Sequence, residues 1–162
     1  MKPEMTDIKM FLTDCDGCLT DGGMYYSEKG DELKRFNALD GMGFRLLQER
    51  GILTGVITGE KKELNHRRGR KIHLDILEEG VQDKLKTVME LCKKHGIDME
   101  NVAYVGDDVN DLEVIKAVGF GCSVVNGIRA VKEAAKYVTI RAGGEGAVRE
   151  VIDLILEDGV RV

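Results

Sequence analysis

Short apolar runs and longer amphipathic stretches alternate along the whole chain. The runs at 8–12, 52–57, 74–77, 102–106, 120–125 and 137–140 are bounded by glycine or polar turn residues. Runs this short, rich in branched aliphatic side chains, predict buried strands. Between them the apolar spacing lengthens to three and four. Residues 39–50, 60–71, 81–95, 110–118, 128–135 and 147–157 therefore read as helices. The 39–50 helix carries apolar positions at 39, 42, 46 and 47 and stops at Gly51. The 81–95 helix carries them at 81, 85, 88, 89 and 92 and stops at Gly96. The 60–71 helix is polar and basic. One segment breaks the alternation: 24–27 and 32–37 flank a turn containing Gly30, which reads as a β-hairpin after the first strand. Strands alternating with helices predict an α/β fold built on a doubly wound parallel sheet. With no repeat or linker, residues 1–162 are expected to form one domain.

The polar residues that end the strands carry the chemistry. The first strand stops in Asp14-Cys-Asp16-Gly17, the second in Thr58-Gly59, and the 102–106 strand in Asp107-Asp108 followed by Asp111. Lys84 opens a helix. In an open α/β sheet ligands bind beyond the carboxyl ends of the strands. Singly, each residue has an ordinary account, as a turn residue, a helix cap or a solvated lysine. Jointly they match the needs of phosphoryl transfer. A phosphate monoester dianion repels an attacking anion, so charge must be cancelled. Mg²⁺ prefers oxygen ligands, and Asp14 and Asp107 are natural ones. A carboxylate nucleophile gives an acyl-phosphate that water can open. A second acid can protonate the leaving oxygen, while a hydroxyl and a lysine hold the phosphoryl oxygens.

Composition narrows the field. The net charge of −5 argues against a nucleic-acid-binding face, the basic cluster from His66 to Lys71 being the local exception. No apolar run reaches membrane-spanning length, and no leading segment resembles a signal peptide, so a cytoplasmic location is expected. Cys15 and Cys18 form a C-x-x-C, but no second pair completes a zinc site and Asp14 and Asp16 flank Cys15. Small buried thiols are the expectation.

Asp14-x-Asp16-Gly17, then Thr58, Lys84 and Gly106-Asp107-Asp108-x-x-Asp111, in this order, resemble the four motifs of the haloacid dehalogenase superfamily. Asp21-Gly22, Phe36-Asn37, Asp40-Gly41, Gly80 and the stretch from Gly143 to Glu150 extend the likeness. They resemble the 3-deoxy-D-manno-octulosonate (KDO) 8-phosphate phosphatases and their relatives acting on nine-carbon ketodeoxynonulosonate (KDN) 9-phosphates. The resemblance implies a Rossmann-like fold with no cap domain and a phosphatase that uses Mg²⁺. Asp14 would be the nucleophile and a metal ligand. Asp16 would be the general acid and base, its backbone carbonyl also on the metal. Asp107 would be the other metal-bound carboxylate, with Asp108 and Asp111 behind it. Thr58 and Lys84 would bind the phosphoryl group. Asn37, Ala38, Leu39, Asp40, Gly41, Arg45, Gly59, Glu60 and Arg68 would join Asp16, Thr58 and Lys84 around the substrate. A homotetramer assembled through the hairpin is implied, with a small-molecule sugar phosphate as substrate and no nucleic-acid or membrane partner.

The sequence departs from that pattern at Gly69, where Ala is frequent, and at Glu60 and Glu145, where Arg is common. The two glutamates bear on which sugar is taken. Glu60, expected at the start of the basic helix and on the pocket rim, would repel an anionic group and accept hydrogen bonds from hydroxyls. A receiver-type phosphoacceptor domain is the main rival, but it has its acid pair on the first strand, its phosphorylated Asp on a later one, and no equivalent of Asp16. A catalytically silent assembly module is the other rival, and intact Asp14, Asp16, Lys84 and Asp107 argue against it.

Overall fold

The computed structural model describes residues 7–158. The strands are β1 (Met10–Thr13), β2 (Tyr25–Ser27), β3 (Gly30–Leu33), β4 (Leu53–Ile57), β5 (Ile76–Glu78), β6 (Val102–Gly106), β7 (Phe120–Ser123) and β8 (Tyr137–Val138). The helices are α1 (Ala38–Glu49), α2 (Glu63–Lys71), α3 (Lys84–His95), α4 (Leu112–Ala117), α5 (Arg129–Ala134) and α6 (Ala147–Asp158). Six strands form one sheet in the order β5-β4-β1-β6-β7-β8, with every neighbouring pair parallel. β2 and β3 pair antiparallel as a separate hairpin after β1, as the sequence predicts.

From β1 the chain builds β4 and β5 on one side, then returns to lay β6, β7 and β8 on the other. The strand order reverses between β1 and β6, and a crevice opens at such a switch point. Each residue of β1 is fully buried because both faces of the sheet are covered. Met10 and Leu12 pack among Val88, Leu91, Val114 and Val131 from α3, α4 and α5. Phe11 points the other way, into the layer of α1 and α6, where its ring meets Phe44 edge-on at 5.8 Å.

Two helices depart from what the apolar pattern alone suggests. α1 buries Asp40, Gly43, Phe44 and Leu47, whereas Leu39 and Met42 are exposed. The cause is Gly43: a Cβ there would stand 2.8 Å from Ile152 Cδ1 and 3.0 Å from Arg149 Cδ, so α6 seats against the glycine and sets the helix's rotation. α2 begins at Glu63 rather than at residue 60. The backbone ahead of it is tied elsewhere, since Glu60 N–H donates to Thr58 Oγ1 at 3.2 Å and Lys62 N–H donates to Glu79 Oε1 at 3.1 Å. Among the described residues no helix is long and apolar enough to cross a membrane.

Candidate active site

Asp14 leaves β1, Thr58 leaves β4, and Asp107 and Asp108 leave β6, all at the same edge of the sheet. With Asp16 and Glu60 they line a cavity of about 230 Å³ at the switch point. The chain turns sharply after Asp14, and Gly17 sits at a φ of 89°, a left-handed value that favours glycine. A Cβ on Gly17 would collide with Asp107 Oδ2, so this glycine also lets the β1 turn approach the β6 turn.

Beneath the cavity lies a buried network. Lys84 is the first residue of α3, whose N-cap Asp83 accepts the Lys86 N–H at 2.9 Å. Its Nζ lies 2.8 Å from Asp14 Oδ1 and donates to Asp111 Oδ1 at 2.7 Å. Asp111 has no exposed surface. It also accepts from Tyr104 Oη at 2.6 Å and from the N–H groups of Asp107 at 2.9 Å and Asp108 at 3.3 Å. Burial alone would lower the Lys84 ammonium; the charges of Asp14 and Asp111 outweigh it and hold it above its ordinary value. Asp108 caps the following turn, accepting the Val109 N–H at 2.7 Å.

The two carboxyls facing each other behave differently from ordinary aspartates. Burial and then the negative charge of Asp111 push Asp14 up to about 6, with Lys84 pulling the other way. Burial and then the charges of Asp14 and Asp111 push Asp107 up to about 8. Oxygen atoms of Asp14 and Asp107 and the Cys18 sulfur lie within 4.8 Å of one another. Two hard carboxylates at this separation, short of positive charge and with room kept clear by Gly17, fit a small divalent cation. Cys15 and Cys18 are buried free thiols, as expected. Burial first, then Asp16 for Cys15 and Asp14 for Cys18, raises both.

The haloacid dehalogenase-like hydrolase family matches residues 50–152. Over 150 residues, 93% of this chain and 80% of the relative, the sequence is 41% identical to the KDO 8-phosphate phosphatase KdsC of Escherichia coli K12. A KDO 8-phosphate phosphatase from Moraxella catarrhalis, solved with magnesium, phosphate and KDO, superposes with a TM-score of 0.91 at 40% identity, over 93% of this chain and 87% of that one. The cobalt-bound phosphatase of Haemophilus influenzae gives a TM-score of 0.90 at 34% identity, over 93% and 88% of the two chains. The chain belongs to the haloacid dehalogenase-like hydrolases.

Within this hydrolase the residues expected around the sugar separate into two groups. Asp16, Thr58, Gly59 and Glu60 line the cavity beside Asp14, with Lys84 beneath. The others lie outside the lining of that cavity in the single subunit. Ala38, Gly41, Arg45 and Arg68 border a separate cavity of about 310 Å³ between α1 and the end of α2. Asn37 caps α1 by accepting the Leu39 N–H at 2.9 Å and donates to Gly144 O at 3.1 Å. Arg68 donates to Asn37 O at 2.8 Å and lies over the Phe36 ring at 5.3 Å. Asp40 is buried, accepts the Arg149 N–H at 2.8 Å, and is pushed up to about 6 by burial against that hydrogen bond. The Leu39 side chain is exposed, and Arg45 pairs with Glu49 on its own helix at 3.1 Å.

Three residues of the hydrolase site escape sequence reasoning. Tyr104 hides in an apolar strand. Asn126 donates to Gly17 O at 3.0 Å and accepts the Gly143 N–H at 2.7 Å, so it ties the turn after β1 to the glycine-rich loop. Lys34 follows β3 and pairs with Asp16 and Glu60. No spacing marks it, because its partners lie on turns distant in sequence.

Proposed function

We propose that this hydrolase is a Mg²⁺-dependent phosphatase acting on the phosphate monoester of a 2-keto-3-deoxy sugar acid, with KDO 8-phosphate as the first candidate. The observation that carries the reading is Asp14, seated on the buried Lys84 and facing Asp107 across a cavity at the sheet's switch point. Asp14 and Asp107, with the Asp16 backbone carbonyl, would hold Mg²⁺, which supplies positive charge against the phosphoryl oxygens. An Asp14 carboxylate oxygen attacks phosphorus, the bond to the sugar oxygen breaks, and an aspartyl-phosphate forms. Asp16 gives a proton to the departing alkoxide, then takes one from the water that opens the acyl-phosphate. Lys84 and Thr58 hold phosphoryl oxygens as charge redistributes. Asp108 and Asp111 orient the β6 turn and Lys84. Residues 1–162 act as one domain in this reading, supported by the single six-stranded sheet. A cytoplasmic location agrees with four free, buried cysteines.

Assembly as a homotetramer belongs to the same proposal. The hairpin exposes Tyr25, Tyr26 and Leu33, apolar surface that a neighbouring subunit would cover. Such a neighbour would also help to close the pocket.

The test is phosphate release from a panel of phosphate esters with Mg²⁺. Preference for KDO 8-phosphate over simple sugar phosphates supports the reading; equal, slow turnover of every ester counts against it. Glu60 on the cavity rim favours a second substrate, a nine-carbon KDN or sialic acid 9-phosphate, which carries one more hydroxylated carbon for a carboxylate to bind. Glu60→Arg should then move the kcat/KM ratio toward the eight-carbon ester. An unmoved ratio removes Glu60 from specificity.

A further inference from the structure

The Lys34 side chain has no exposed surface, although it belongs to the segment leaving an exposed hairpin. Its Nζ lies 2.9 Å from Asp16 Oδ1 and 3.1 Å from Asp16 Oδ2, and it donates to Glu60 Oε2 at 3.1 Å. The Asp16 and Glu60 side chains keep 21% and 38% of their surface. The ammonium therefore sits behind two carboxylates that look into the cavity. The next residue, Arg35, reaches Glu145 at 2.6 Å, so the hairpin exit is latched to both the Glu60 rim and the glycine-rich loop.

We propose that Lys34 is a positioning residue, fixing the Asp16 carboxylate for proton transfer and cancelling the Glu60 charge at the cavity mouth. The inference rests on Asp16 being the general acid. Two physical needs support it. Asp16 stands on a turn, where a carboxylate without a partner would sample several rotamers, and a general acid must lie within hydrogen-bond reach of the leaving oxygen. The cavity is also lined by Asp14, Asp16, Glu60, Asp107 and Asp108, a set of acids that repels a phosphate dianion. Lys84 answers for Asp14, and Lys34 answers for Asp16 and Glu60. A lysine donates three hydrogens, which matches the three carboxylate oxygens around this one.

The experiment compares two esters in Lys34→Met, Lys34→Gln and Lys34→Arg. KDO 8-phosphate expels an alkoxide that needs a proton, whereas p-nitrophenyl phosphate expels a stable phenoxide that does not. kcat/KM covers only the steps up to leaving-group departure. In Lys34→Met and Lys34→Gln the kcat/KM ratio of sugar ester to aryl ester should fall by roughly tenfold or more, part of the 10²–10⁴ that a general acid contributes. Lys34→Arg should keep the ratio within about threefold of wild type, since it retains the charge and donors. Equal losses on both esters, or no loss on either, would overturn the proposal. So would unfolding of both neutral variants beside a folded Lys34→Arg, which would make Lys34 a folding residue only. Failure of the unmodified protein to release phosphate from either ester sinks the phosphatase reading itself, and is seen before any variant is made.

Discussion

Asp14, Gly17 and Asp107 act as one unit, because the glycine decides how closely the two carboxyls stand. Gly17→Ala adds a methyl that collides with Asp107 Oδ2 at a φ of 89°. We expect a loss of about 1–3 kcal/mol in stability together with weakened Mg²⁺ binding, read from denaturant midpoints and metal titration. Asp14→Asn is nearly isosteric and should abolish turnover while the circular dichroism spectrum stays unchanged. Turnover near the wild-type rate in that variant would remove the covalent step. The raised carboxyls also set a pH dependence. With Asp14 at about 6 and Asp107 at about 8, the metal-free fold binds more protons here than the unfolded chain does. Its stability at this site therefore falls as pH rises from the ordinary carboxylate range through about 8. Mg²⁺ must displace those protons, so its binding tightens over the same window. The Mg²⁺-induced rise in Tm should be larger at pH 8 than at pH 6, and EDTA should abolish it.

At the level of elements, Asp111 joins α3, β6 and the turn after β6. Asp111→Ala would leave the buried Lys84 and Tyr104 without this partner, a loss expected near 3–5 kcal/mol by urea unfolding. Tyr104→Phe removes one hydroxyl donor and should cost about 1 kcal/mol. A Tyr104→Phe loss as large as that of Asp111→Ala would show that the ion pair contributes little. The strands were legible because a short apolar run between turn residues has few other uses, and a parallel sheet buries both faces of each strand. Helix faces were less legible. In α1 the buried stripe is governed by Gly43, where α6 makes its close approach, and a glycine carries no weight in an apolar count. The start of α2 is hidden for a related reason: the Lys62 N–H is taken by Glu79, seventeen residues on, and local sequence does not announce a tertiary partner.

For the whole molecule, the order of acids, threonine and lysine along the chain was enough to place one site at one sheet edge. The sugar-side residues were not resolved in the same way, since Arg68 bonds to the Asn37 carbonyl and borders a different cavity of the single subunit. The proposed tetramer has a direct check. Light scattering should give four subunits, and Tyr26→Asp, at a position 72% exposed, should yield smaller species with reduced turnover. A fully active monomer at micromolar concentration would defeat the assembly proposal. The tie made by Asn126 has a consequence during synthesis. Asp14 leaves the ribosome before β6 does, so β1 cannot pair with β6 until residue 106 follows. The turn holding Gly17 is not secured until Asn126 and Gly143 arrive. Contacts so distant in sequence form late. A nascent chain therefore carries Asp14 as an ordinary hydrated carboxylate until these later segments follow, and the cavity around it closes only when Asn126 and Gly143 are in place.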